Sequence, residues 1–208
     1  IDRSLVGSEM CIRDRQNPQA STGLASITKI MTSYIVADYL KQGFLNIKDL
    51  TKVSEKCWRR EGSRMFIQEG KRVSIEDLMR GMIVQSGNDA ACALAEPIAG
   101  TQEDFASLMN DYAQRMELRN TNFTNPTGLP NVNHYSTAED IAKLSKFLIN
   151  DFPEEYSIYS EKEFTFNDIR QLNRNSLLWQ DDSIDGIKTG HTRASGYCLV
   201  ASSKRADM

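Results

Sequence analysis

Between Ala25 and Leu40 the chain reads ASITKIMTSYIVADYL, and Ile27, Ile30, Met31, Tyr34 and Ile35 recur at three- and four-residue steps. That period is one face of a helix. Ser26, Lys29 and Ser33 form a second, polar stripe at the same spacing, so a hydroxyl and an amine stand one turn apart on one side. Gly43 suits the left-handed residue that closes such a helix. Thr51 to Ser54 reads as a short strand, and Glu55 to Ser63 as an irregular loop. Arg64–Gln68 and Lys71–Val73 flank Glu69-Gly70, the pattern of a small hairpin. Ser74 with Asp77, Thr101 with Asp104 and Thr137 with Asp140 are capping pairs. They open helices carrying Leu78, Met79 and Met82, then Phe105, Leu108, Met109 and Tyr112, then Ile141, Leu144 and Leu148. Another apolar helix spans about Asp89 to Ala99, so Ser86-Gly87-Asn88 lies in a tight link between two buried helices. Asn120 to Tyr135 is a long turn-rich loop, and Pro153 suits the first position of a short helix.

From Glu163 onward the period changes. Phe164 and Phe166 alternate with polar neighbours, and Ile184, Ile187, Tyr197, Leu199 and Ala201 continue in a strand-like way. Helices in the middle and strands towards the end predict an α/β chain of the α+β kind, a helical lobe packed beside an antiparallel sheet. Residues 1–15, IDRSLVGSEMCIRDR, carry neither period and lead to no cap or turn. They read as non-native sequence and are set aside from the fold, which leaves residues 16–208 as one unit. A strand-like segment runs almost to Met208, so the unit reads as truncated at both ends.

Composition narrows the function classes. The chain has 208 residues, 40% hydrophobic and 25% charged, enough for a soluble unit with a real core. The formal net charge is -3 and no basic stripe stands out, so no nucleic-acid partner is expected. No apolar run reaches the length of a bilayer span, and no signal-peptide pattern opens the chain. Cys11, Cys57, Cys92 and Cys198 show no C-x-x-C pair, and Cys92 and Cys198 lie in apolar runs. They predict buried small hydrophobes, with no disulfide framework and no zinc site. The only histidines are His134 and His191, without an H-E-x-x-H helix, so neither a metal nor a cofactor is expected.

The chemistry gathers in three places. Ser26-Ile27-Thr28-Lys29 starts the core helix, Ser86-Gly87-Asn88 fills the interhelical turn, and Lys188-Thr189-Gly190 ends a strand. A lysine in an apolar helix must find a partner or lose its proton. A neutral lysine beside a serine hydroxyl is a general base beside a nucleophile. Alone, S-x-x-K reads first as a capping serine and a lysine whose ammonium reaches water. The order of all three motifs, on helix, turn and strand, makes coincidence a poor explanation.

With ASITKIMTSYIV, GMIVQSGNDA, EKEFTFNDIRQLNRNSLLW and DGIKTGHT, the chain resembles the low-molecular-mass penicillin-binding proteins, serine-type D-alanyl-D-alanine carboxypeptidases, over roughly residues 24–203. The resemblance implies a β-lactamase/transpeptidase-like fold and a role in peptidoglycan maturation and cell shape. It implies that Ser26 attacks the carbonyl of the penultimate D-alanine of a peptidoglycan stem peptide, forming an acyl-enzyme that β-lactam inhibitors mimic. Lys29 would take the proton, kept neutral in part by the second cation, Lys188. Ser86 would relay a proton to the leaving amine, and Asn88 would orient Lys29 and the substrate amide. Lys188 and Thr189 would hold the terminal carboxylate. Gly190 would let a substrate backbone lie against the strand edge. Backbone N–H groups of Ser26 and His191 would form the oxyanion hole. Arg174, in NRNSLLW, is as readily a surface arginine as a contributor of charge to the carboxylate site.

Residues 16–208 are then a partial catalytic domain. The parent is expected in the periplasm, associated with the inner membrane through a C-terminal tail that this sequence lacks. Loss of partner strands would expose sheet edges and put folding and turnover of the fragment in question. A β-lactamase of the same fold would carry E-x-x-L-N between Asn88 and Lys188, and no such string occurs there. Transpeptidase or endopeptidase use of the same site, or a non-enzymatic binding domain, are the other readings.

Overall fold

The computed structural model describes residues 16–205; the non-native expectation for residues 1–15 lies outside them. Helix α1, Lys29–Lys41, continues directly from a 3-10 turn, Ala25–Thr28. From Lys29 to Ala37 every α1 residue is buried. A helix enclosed on all sides is the centre of a core, and four later helices, described next, pack against it. Gly43, at φ +76°, ends the run as expected, its N–H bonding back to Leu40 O.

The capping pairs operate as predicted. The hydroxyls of Ser74, Thr101 and Thr137 accept the N–H groups of Asp77, Asp104 and Asp140. They begin α3 (Ile75–Ile83), α5 (Gln102–Arg115) and α6 (Ala138–Asp151). Each satisfies one of the unpaired donors at a helix start, worth about 1 kcal/mol. Helix α4, Asn88–Ala99, runs between α3 and α5 with Asn88 to Ala95 buried. Pro153 opens a short helix, Pro153–Tyr156, at its first position.

Two local expectations fail for tertiary reasons. The residues flanking Glu69-Gly70 do not pair with each other. Strand β2 (Arg72–Ser74) instead pairs antiparallel with β1 (Leu50–Lys52), Thr51 opposite Val73. The Asp89 carboxylate takes the N–H groups of Met65, Phe66 and Ile67, and Phe66 sits at φ +67°, so that segment has neither the donors nor the extension of a strand. Glu55 to Ser63, expected as loop, holds one helical turn, α2 (Glu55–Trp58), capped by Ser54.

The absence of disulfides is also overturned. Cys57 of α2 is bonded to Cys92 of α4. The two lie 35 residues apart with no signature spacing, and only the packing of α2 on α4 brings them together. Cys198 is a free, half-buried thiol, and burial pushes its pKa up.

The antiparallel architecture holds, as three two-stranded ladders among the described residues. Strands β3 (Glu163–Phe166) and β4 (Ile169–Leu172) form one hairpin. Strands β5 (Ile184–Thr192) and β6 (Gly196–Ser203) form the longest ladder, with Lys188 opposite Val200 and Gly190 opposite Cys198. Strand β5 lies against the 3-10 turn that precedes α1. A Cβ built on Gly190 would come within 3.0 Å of Ser26 N and 3.1 Å of Ala25 Cβ.

Candidate active site

The 3-10 turn and the first turn of α1 put Ser26 Oγ and Lys29 Nζ 3.0 Å apart. Ser26 is half-buried and Lys29 fully buried, so solvent meets the hydroxyl and not the amine. The amine has two further partners, Asn88 Oδ1 and the Thr127 carbonyl, each at 2.7 Å. The orientation of the Asn88 amide is set by its other end, where Nδ2 donates to Glu61 O at 2.6 Å. Both Asn88 and Thr127 therefore present oxygen acceptors to Lys29.

A neutral amine has two hydrogens and one lone pair. Once the proton is lost, with both remaining hydrogens donated to Asn88 Oδ1 and Thr127 O, the lone pair would face Ser26 Oγ. Burial pushes the Lys29 pKa well below its usual value, the Lys188 charge adds to this, and the Asp89 carboxylate acts against it. Burial and the Lys188 charge thus favour loss of the Lys29 proton beside the Ser26 hydroxyl, the environment a base-activated nucleophile requires.

The second half of the site is equally short-range. Ser86 takes φ +67° in the link between α3 and α4, which directs its hydroxyl at Lys188, with Nζ to Oγ at 3.0 Å. Lys188 also donates to the carbonyl of Thr189 at 3.1 Å and is buried. Burial and the Arg174 charge push its pKa down to about 7. The two halves adjoin because Ser86 and Asn88 share one turn and because Gly190, two residues after Lys188, touches the Ser26 backbone. The glycine thus has a structural reason beyond admitting a ligand. Any side chain there would push the nucleophile turn away from β5. Thr189 is half-buried, and His191 is exposed with its ring 4.2 Å from that of Tyr197.

Three groups at the site are not legible as such in the sequence, and a fourth, Arg174, stands there undecided between surface arginine and charge contributor. The Thr127 carbonyl is presented by the Asn125–Gly128 bend, where Asn125 Oδ1 accepts the N–H groups of Thr127 and Gly128. The Asn-Pro-Thr-Gly string was the available signal, but it reports a turn and not where the turn docks. Glu61 O, which fixes Asn88, is a backbone atom that no side-chain pattern reveals. Asp89 binds the 65–67 backbone, and burial raises its pKa against the pull of those N–H groups. Arg174 donates to Gln85 O at 3.1 Å, and its charge lowers the pKa of both lysines.

Among the described residues, Cys57, Cys92 and Glu96 are the one His/Cys/acid group close enough to share a cation, and the disulfide occupies both sulfurs.

Comparison with known proteins points the same way. The family model of Peptidase S11, D-alanyl-D-alanine carboxypeptidase, matches residues 12–208. The chain is 51% identical over 190 residues to the D-alanyl-D-alanine carboxypeptidase DacA of Haemophilus influenzae, covering 89% of this chain and 48% of that protein. It is 50% identical over 191 residues to DacC of Escherichia coli, covering 88% and 48%. Its fold superposes on penicillin binding protein 5 from Haemophilus influenzae with a TM-score of 0.92 at 48% identity, over 95% of this chain and 58% of that one. The chain spans about half the length of the curated relatives it matches.

Proposed function

The chain belongs to the D-alanyl-D-alanine carboxypeptidase family, and from that premise we propose that it carries a serine-type carboxypeptidase site with Ser26 as nucleophile. The observation that supports this most directly is the Lys29 amine, held by Asn88 Oδ1 and Thr127 O with its remaining valence towards Ser26 Oγ. Lys29 takes the hydroxyl proton as Ser26 attacks the penultimate D-alanine carbonyl of a peptidoglycan stem peptide. The tetrahedral oxyanion is received by backbone N–H groups of Ser26 and His191. Collapse breaks the peptide bond, and the leaving amine takes a proton through Ser86, which is bonded to Lys188. Lys188 and Thr189 hold the terminal carboxylate, with Arg174 adding positive charge nearby. Water then attacks the acyl-enzyme, releases the shortened peptide and restores Ser26.

The same chemistry makes β-lactams acylating inhibitors, and a peptidoglycan substrate supports a cell-envelope location for the parent protein, in the periplasm and associated with the inner membrane on this reading. Labelling with a fluorescent penicillin tests the nucleophile. The chain should label and Ser26→Ala should not, and equal labelling of both would remove Ser26 from the role. Release of D-alanine from a D-Ala-D-Ala pentapeptide, with and without an added amine acceptor, tests hydrolysis against transpeptidation. Rapid turnover of a chromogenic cephalosporin would point to a β-lactamase instead.

A further inference from the structure

His134 is a buried imidazole that the mechanism above does not use, and it is bonded into the nucleophile motif. One ring nitrogen, Nε2, lies 2.7 Å from the hydroxyl of Thr28, the residue before Lys29. The other, Nδ1, receives the backbone N–H of Thr124 at 3.0 Å, with the Thr124 hydroxyl at 3.1 Å. A backbone N–H can only donate, so Nδ1 is the acceptor and the proton of the neutral ring sits on Nε2. Nε2–H then donates to Thr28 Oγ1. The ring is edge-on to Phe123, centroids 5.8 Å apart, which limits its rotation.

The two segments joined by this ring are the ones whose separation matters. Thr28 closes the 3-10 turn that carries Ser26. Thr124 opens the bend that presents the Thr127 carbonyl to Lys29. The bend approaches the turn so closely that a Cβ on Gly128 would lie 1.8 Å from Ala25 O. A second tie, Thr32 Oγ1 to Pro126 O at 2.7 Å, holds the bend one turn farther along α1 and does not involve the 3-10 turn.

We propose that His134, in its neutral Nε2–H form, is a positioning residue that clamps the Ser26 turn to the Thr124–Gly128 bend and so fixes Thr127 O as the acceptor that aims the Lys29 lone pair. Burial pushes the ring's pKa down to about 4, in keeping with a neutral ring. This rests on the reading of Ser26 and Lys29 as nucleophile and base.

The test is acylation of the 208-residue chain by a fluorescent penicillin, resolved into the saturating rate and the half-saturating concentration. His134→Leu removes both bonds, and His134→Asn keeps only an acceptor near Nδ1. Both should lose roughly 10- to 100-fold in saturating rate, as misplaced reacting groups do, with half-saturation moved less than about threefold. His134→Gln restores a donor near Nε2 and should recover to within about fivefold of the parent. Thr28→Val combined with His134→Leu should cost no more than either alone.

Parent-like rates in His134→Leu, or a Gln variant as slow as Leu, would overturn the proposal. A second measurement covers variants that fail to fold. Nitrogen NMR of the parent chain at neutral pH should show an Nε2–H imidazole with unprotonated Nδ1, and the opposite tautomer would overturn it. If the parent does not label, or labels equally as Ser26→Ala, the nucleophile reading fails. The NMR result then decides the clamp on its own.

Discussion

Lys29 illustrates how one residue acquires its chemistry from its surroundings. The same side chain at the surface would be an ordinary ammonium. Here burial and Lys188 favour the free base, while Asn88 and Thr127 fix its direction. Lys29→Arg keeps a positive charge that cannot be given up. It should lower the penicillin acylation rate by about 10²- to 10⁴-fold, the range for loss of a general base, in stopped-flow traces. The sign of the pH effect follows from the same cause. As pH falls through the depressed pKa, Lys29 gains a proton, loses its lone pair and the acylation rate drops on the acid side. Gly190 supplies an independent check. Gly190→Ala would put a Cβ 3.0 Å from Ser26 N, so the turn must move. Labelling should slow by roughly 10- to 100-fold; an unchanged rate would mean that β5 yields instead.

At the level of elements, the site is held by a collar around the start of α4. Asn88 N donates to Ser63 O, Asn88 Nδ2 donates to Glu61 O, and Asp89 gathers the 65–67 backbone. The Cys57–Cys92 bond and the Ser54–Glu96 hydrogen bond tie the other end of that collar to α4. The bond closes a long loop that contains Ser86 and Asn88. Cys57→Ser with Cys92→Ser should cost about 2–4 kcal/mol in urea unfolding, in line with its 35-residue separation. Acylation at low temperature, where the variant stays folded, should fall less than in Lys29→Arg, because the disulfide supports Asn88 and does not touch substrate.

For the molecule as a whole, the β5–β6 hairpin also exposes apolar side chains, Tyr197 opposite His191 and Leu199 opposite Thr189. Tyr197 is 91% and Leu199 54% exposed. Apolar side chains alternating along an uncovered ladder invite self-association. Tyr197→Ser with Leu199→Thr should increase the monomer fraction by light scattering. Stability should also respond to pH through Lys188. Its pKa of about 7 lies below the 10.5 of an exposed lysine. Between those values the unfolded chain binds more protons than the native one, so stability rises with pH. The urea midpoint should climb from pH 7 to about 9.5, and Lys188→Met should reduce that slope, leaving the part due to the depressed pKa of Lys29. Affinity for a carboxylate ligand should fall over the same interval as the cation is lost.

Much of this was written along the chain itself. The helix period of 25–40, the three capping pairs, the late strands and the order of Ser26-x-x-Lys29, Ser86-x-Asn88 and Lys188-Thr189-Gly190 are local or pairwise patterns, and they specified the elements and the side chains proposed to react. What they could not specify is contact between segments far apart in sequence. The Cys57–Cys92 bond, the capture of residues 65–67 by Asp89, the Thr127 and Glu61 carbonyls and the reach of Arg174 depend on backbone atoms and on docking. A side-chain pattern carries no record of where a carbonyl will point. The sequence therefore chose the hydroxyl and the amine. Only the folded packing decided that the amine is dry, which acceptors surround it, and how far it stands from the hydroxyl.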